Sequence, residues 1–362
     1  MNLTEILKSL SLTPALSGYE HLMAERMKSF LSSYVDQIET DKLGNLIATI
    51  QGQEADAPRI MLFAHIDQLG FVVRKIESDG FIRIERLGGV PEKALAGQPV
   101  VIQTEDDRFI PGIIGNKSHH LTPQEEKYTV AGYKSLYVDV GANSAEDVYA
   151  AGIDIGCPVL YQPDFQAMMN DKVYGTSIDN RGGCAILVRI AEILKEIKPA
   201  ATVYIVGAVQ EEFNLRGAMV AAQALKPDCA ICVDINIAAD TPDLKGSNDI
   251  ALGAGPVVSM YNFHGRGTLN GTIPPRRMVK WTSEAAGAGD IPLQRGAMTG
   301  ILTDASYVQL VDSGIPTIDI GFPARYSHSA VELCDMRDLE QVARLIAQMV
   351  QMAKPGASFG RE

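Results

Sequence analysis

The stretch from Val203 to Arg216 constrains this chain more than any other. Val203 to Val209 is rich in Val and Ile, and it gives way within two residues to adjacent carboxylates, Glu211 and Glu212. An apolar run of this length predicts a buried strand of a parallel sheet. Ligands in such sheets gather outside the carboxyl ends of the strands, which puts the Glu pair where chemistry is done. Neighbouring side chains on extended backbone point to opposite sides, so the two carboxylates are expected to do different jobs.

The flanking sequence predicts an α/β rhythm interrupted once. Residues 1–35 read as two amphipathic helices broken at Ser17-Gly18. A hairpin over 38–50 turns at Leu43-Gly44-Asn45, and a short buried strand over 59–64 ends at His65-Ile66-Asp67. From about 70 to 165, six short β-like runs alternate with Gly and Asp turns, the pattern of a small inserted β-barrel or sandwich. The rhythm then returns: a helix over 184–197, the Val203 strand, a helix over 218–224 and a strand over 229–235. Further on come a weak helix over 291–298, a better one over 303–312, a strand over 317–320 and an amphipathic helix over 338–353. The expected organisation is a catalytic unit of residues 1–69 and 166–362 interrupted by an inserted unit, 70–165.

Net charge is −12, which argues against nucleic acid or an anionic membrane as partner. No apolar run reaches the roughly 18 residues that span a bilayer, and the first residues lack a signal-peptide pattern, so a cytoplasmic protein is expected. The five cysteines are scattered and apolar in setting, as for reduced core thiols. Cys229 and Cys232 have redox-motif spacing, but residues three apart on a strand face opposite sides. The Gly253–Pro256 and Gly265-Arg266-Gly267 segments do not sit between a strand and a helix, so phosphate binding is not expected. His119-His120 reads as a loop pair.

The acids and histidines at apolar strand ends form one set: His65, Asp67, Asp179, Glu211, Glu212, Asp234 and His328. Imidazole and carboxylate are the donors of borderline divalent metals, and a carboxylate shared between two ions makes a two-metal hydrolytic site. Asp67 follows His65 by two, so on a strand it lies on the same side and can orient the ring through its other nitrogen. In the Glu pair, one carboxylate would ligate and the other would stay free as a general base.

In these residues the chain resembles the M42 metallo-aminopeptidases, which include the glutamyl and tetrahedral (TET) aminopeptidases. The resemblance spans nearly the whole chain: Leu16-Ser17-Gly18-Tyr19-Glu20, Asp41-Lys42-Leu43-Gly44-Asn45, His65-Ile66-Asp67, Asp179-Asn180-Arg181, Gln210-Glu211-Glu212, Val233-Asp234, Asp240-Thr241-Pro242, Thr303-Asp304-Ala305 and Arg325-Tyr326-Ser327-His328-Ser329. It implies a mixed-sheet, zinc-peptidase-type α/β catalytic domain with an inserted β-domain used in assembly. It also implies Asp179 bridging two metals, His65 and Asp234 completing one shell, and Glu212 and His328 the other. Glu211 would be the general base for a metal-bridging water, with Asp67 supporting it. The implied cofactors are two divalent ions per subunit, zinc or else cobalt or manganese. The implied partners are peptide substrates and further copies of the chain, from dimer to dodecamer. One departure is Phe213-Asn214, where the family usually has Val-Gly; Asn tolerates the positive φ such a turn needs, whereas Phe alters the site mouth. The rival expectation is a di-metal deacylase of small N-acyl compounds on the same residues.

Overall fold

The computed structural model describes residues 2–265 and 269–361. Its spine is a 13-stranded mixed sheet. The main path runs Gln37–Thr40, Leu46–Ile50, Thr202–Ala208, Arg59–His65, Cys229–Cys232, Thr317–Arg325, Glu332–Asp335, Lys172–Gly175 and Phe165–Ala167. From Thr202–Ala208 through Thr317–Arg325 the neighbours are parallel. Leu46–Ile50 pairs antiparallel with Thr202–Ala208, so that strand is parallel on one side only.

Both faces of the sheet are covered, which is why its central strands are almost continuously apolar. Ile60, Leu62 and Ala64 join the core under the helices Leu3–Ser11, His21–Leu31, Ile178–Ile197 and Met336–Met352, while Met61 and Phe63 turn to the core under Gly217–Leu225 and Ala305–Val308. Cys229 and Cys232 obey the same alternation: each is a buried free thiol, in a different core layer.

Between Gly70 and Tyr161 the chain leaves this sheet and closes a six-stranded barrel: Gly70–Ile76, Ile82–Leu87, Val138–Asp139, Phe109–Ile114, Pro99–Gln103 and Pro158–Tyr161. Phe71, Ile84, Ile102, Val138 and Val159 fill its separate core. Closure pairs every strand edge that an open sandwich would leave free.

Several local expectations change. Residues 294–299 form a strand, not a helix, because they pair in parallel with Val257–Phe263. The expected strand over 229–235 breaks into Cys229–Cys232 and Ile235–Ile237, with Asp234 at the break. The helix expected over 303–312 is confined to Ala305–Val308. Helix Arg276–Gly289 has no counterpart in the sequence reading; it buries Met278, Thr282, Ala285 and Ala286, a stripe of small and polar residues with little hydrophobic signal. The Glu pair lies in a turn after the strand ends at Ala208, so the argument from alternating extended side chains does not apply to it. Of Gly265-Arg266-Gly267, residues Arg266 and Gly267 lie outside the described residues.

Candidate metal centre

Four strand ends and one helix start converge on one point. His65 is the last residue of its strand, and its Nε2 stands 3.0 Å from Asp179 Oδ1. Its Nδ1 faces only acceptors, the Asp67 carbonyl at 3.2 Å and the Asp67 carboxylate at 3.4 Å. A ring nitrogen facing oxygens that cannot donate must carry a proton; Nε2, which faces the Asp179 carboxylate, carries one too, and it is the nitrogen that would exchange its proton for a metal ion. His328 repeats the arrangement. Its Nδ1 donates to the Gly89 carbonyl at 2.8 Å, and its Nε2 lies 3.5 Å from Asp179 Oδ2 and 3.8 Å from Glu212 Oε1. Gly89 belongs to the barrel side, and a Cβ there would meet the His328 ring at 3.0 Å.

Two donor groups result. His65, Asp179 and Asp234 offer ligand atoms within 4.8 Å of one another, and so do Asp179, Glu212 and His328. Asp179 belongs to both. Glu211 stands outside both groups, beside the same cavity. Asp67 is in neither: its carboxylate accepts the Glu211 and Glu212 amides, each at 3.0 Å, and the Ser17 hydroxyl. It therefore fixes the His65 ring and the Glu-pair backbone at once.

Electrostatics describe a centre built for cations. Burial raises the carboxyl of Glu211 well above the usual range, against the attraction of His65, and the nearby Glu212 adds to the rise. Burial likewise pushes Glu212 up to about 7 and raises Asp234, which the charge on Asp179 lifts further. Asp179 goes the other way: burial is outweighed by hydrogen bonds from His328 and His65. Against the cost of burial, the surrounding carboxylates raise both imidazoles, His65 well above its usual range and His328 up to about 10, so a bound cation would take the place of the Nε2 protons. Imidazole nitrogens and crowded carboxylates form a donor set that suits divalent zinc, cobalt or manganese.

Residues without a role in the sequence reading hold this set. Glu332, 2% exposed, accepts the Asp179 amide at 2.7 Å through one oxygen and the His328 amide at 2.5 Å through the other. Its only sequence signal is an acid that opens the short buried strand Glu332–Asp335. Asn180 donates to the Val233 carbonyl at 2.8 Å, next to Asp234, and accepts the Gly183 amide. A Cβ on Gly321 would stand 1.9 Å from the Asp234 carbonyl, so only glycine fits there. The fully buried Arg181 donates to the Ile66 carbonyl at 2.5 Å and to Gln68 Oε1 at 3.1 Å. Asp240 grips Arg325 through two contacts of 2.7 and 2.6 Å, anchoring the start of the His328 loop. Asp304 is 2% exposed, with both carboxylate oxygens buried and without a hydrogen-bond partner among the described residues.

The donors open onto a cavity of about 910 Å³. Phe213 lines its mouth with Asn214, whose φ of 68° is the conformation that a glycine usually supplies. His119 and His120 lie on an exposed turn of the barrel region, outside the cavity lining.

A covered mixed α/β sheet with His and carboxylate donors at its strand ends, beside a closed barrel, defines a metal-dependent hydrolase. The family profile described as M42 glutamyl aminopeptidase matches residues 44–345, and the chain belongs to that family of metal-dependent aminopeptidases. It is similar to SgcX of Escherichia coli (strain K12), with 37% identity over 96% of this chain and 93% of that one. The lysyl aminopeptidase of Pyrococcus furiosus is 33% identical over 97% of each chain. Among solved structures, aminopeptidase APDkam598 from the archaeon Desulfurococcus kamchatkensis superposes with a TM-score of 0.91 at 32% identity, over 98% of this chain and 95% of that one. The chain is a peptide-hydrolysing aminopeptidase.

Proposed function

We propose that the chain removes N-terminal residues from peptides at a two-metal centre, with Glu211 as general base. The observation that carries this reading is the division of the acids: Asp179 is common to two donor groups, and Glu211 lies outside both. His65 and Asp234 would hold one divalent ion with Asp179; Glu212 and His328 would hold the other. When bound, such a pair supplies Lewis acidity to the scissile carbonyl and acidifies the attacking water. The chain's own residues do the rest. Glu211, with its backbone fixed by Asp67, takes the water's proton and delivers it to the departing amine. Burial raises the proton affinity of Glu211 above that of a solvated carboxylate, which strengthens it as a base. The substrate's free α-amine docks against the buried carboxylates, which favours an exopeptidase over a deacylase of blocked compounds.

Beyond the donors the cavity wall is mostly apolar, with Leu87, Val90, Phe213, Ile237 and Leu302, and its basic Arg86 faces Glu92 at 3.9 Å. Among the described residues, no carboxylate outside the donor set and Glu211 lines it. A lysine side chain entering would lose hydration without gaining a counter-charge. The test is a panel of peptides with free and acetylated N-termini, offered to metal-stripped protein re-supplied with zinc, cobalt or manganese. Metal-dependent release from free N-termini, with Leu, Met or Phe ahead of Lys, is the expected result. Release from acetylated peptides at equal rates would overturn the exopeptidase reading.

A further inference from the structure

The segment Leu16-Ser17-Gly18-Tyr19-Glu20 is far in sequence from every donor, yet it lies against the turn that carries the Glu pair. The strand ending at His65 is followed by Gln68, which locks this segment in place: the Gln68 amide donates to the Ala15 carbonyl at 2.9 Å, and Gln68 Oε1 accepts the Ala15 amide at 2.9 Å. The Ser17 amide donates to the Gln68 carbonyl at 3.3 Å. Arg181 adds a bond to the Thr13 carbonyl at 3.3 Å. So anchored, the segment presents two side chains. Ser17 donates its hydroxyl to the same Asp67 oxygen that accepts the Glu212 amide. Glu20 uses one oxygen to accept its own Gly18 amide at 2.7 Å and the Gln210 amide at 3.1 Å. Gln210 has a φ of 58°, a strained conformation for a residue with a side chain, and needs such support. Ser17 and Glu20 are 4% and 7% exposed, so water does not replace these bonds.

We propose that Ser17 and Glu20 are positioning residues for the reaction: together with Asp67 they hold the three consecutive amides of Gln210, Glu211 and Glu212 and so aim the Glu211 carboxylate. This rests on the reading of Glu211 as general base. The base is set by a turn, not by a strand, and the turn is fixed from outside by a loop that precedes the first strand of the sheet. A catalytic group displaced by about 1 Å loses on the order of 10²-fold in rate; Asn45 holds the flanks of the turn, accepting the Val209 amide at 2.9 Å and donating to the Gly217 carbonyl at 3.0 Å, and leaves the three amides at its tip to Asp67 and Glu20.

The test compares Ser17→Ala, Ser17→Thr, Glu20→Ala and Glu20→Gln in the metal-loaded full chain. Three readouts are taken: metal content, amide hydrogen exchange over residues 209–216, and kcat separately from KM. Ser17→Ala and Glu20→Ala should exchange the Gln210–Glu212 amides roughly tenfold faster and lose roughly 10- to 100-fold in kcat. KM and metal content should stay near those of the parent chain. Ser17→Thr and Glu20→Gln keep a hydroxyl or an oxygen in place, and should recover most of the loss. Unchanged exchange in both alanine variants overturns the proposal, as does faster exchange with an unaltered kcat. If an alanine variant does not fold, a variant of similar volume that lacks the strong donor or acceptor, Ser17→Cys or Glu20→Met, decides: faster exchange confined to 209–216 supports the brace, and unaltered exchange overturns it. If Glu211→Gln proves to turn over normally, the base reading fails, whereas the exchange data still report on the brace.

Discussion

At the scale of single residues, the site is defined by which carboxylates are held and which are left to react. Glu211→Gln keeps the shape of the side chain but cannot accept the water's proton. It should retain the parent's metal content, measured by atomic emission, and lose about 10²–10⁴ in kcat, the scale of general base catalysis. Near-normal turnover would remove Glu211 from the chemistry. Asp304 makes a different prediction. Burial pushes its carboxyl up to about 7, against the pull of His65, while in the unfolded chain it titrates near 4. A folded pKa above the unfolded one means stability that is complete below about pH 4 and is lost as pH rises through about 7. In metal-free protein, Asp304→Asn should therefore be stabilising by roughly 1.5 kcal/mol at pH 5 and by up to about 4 kcal/mol at pH 8. Denaturant melts at the two pH values would show it; equal effects at both would contradict the buried, unpartnered placement.

At the scale of elements, the His328 loop and the kinked start of helix Ile178–Ile197 are joined by one side chain. Glu332 accepts an amide from each, so a single carboxylate sets the distance between Asp179 and His328. Groups that orient ligands typically cost 10–100-fold in metal affinity when removed. Glu332→Ala should show that loss in a competition titration with a chelator, at the ion that Glu212 and His328 would hold more than at its neighbour. Uniform loss at both, or none, would argue that the loop holds itself. The positive φ of both Tyr326 (63°) and His328 (68°) shows why it needs an anchor.

At the scale of the whole molecule, barrel and sheet meet at the site, since Gly89 on the barrel side accepts from His328. Metal binding should therefore tighten the joint as well as the centre. A ligand bound only by the folded state stabilises by about 2.7 kcal/mol at 100 times its Kd. Stripping metal with a chelator should lower Tm by several degrees, and re-supply should restore it; an unchanged Tm would mean that the donors hold no ion. No helix among the described residues is long and apolar enough to cross a membrane. Tyr128 at 88% and Leu121 at 82% exposure stand on the outer loops of the barrel region, the unit that the resemblance implies is used in assembly.

Much of this molecule follows from residue order alone. Strands with alternating apolar faces, an interruption by short β runs after Gly70, and acids and histidines at strand ends are local patterns, set by backbone periodicity and by where apolar runs stop. They predict the α/β class, the presence of a β insert and the candidate set His65, Asp67, Asp179, Glu211, Glu212, Asp234 and His328 without reference to any partner segment; the division of that set into donors, base and support came from the resemblance to the M42 family. Other features depend on chain segments far apart in sequence. Residues 294–299 are polar and Gly-containing, and become a strand only because Val257–Phe263 offers an edge. Helix Arg276–Gly289 is committed by packing, since its buried stripe is too polar to announce itself. The Glu pair left the strand for a turn whose shape comes from Asp67, Ser17 and Glu20, and Glu332 acquired its role from two amides 153 and 4 residues away. Hydrogen bonds to backbone amides are blind to sequence separation and leave no periodic trace, so only the tertiary structure decided which polar residues hold the site.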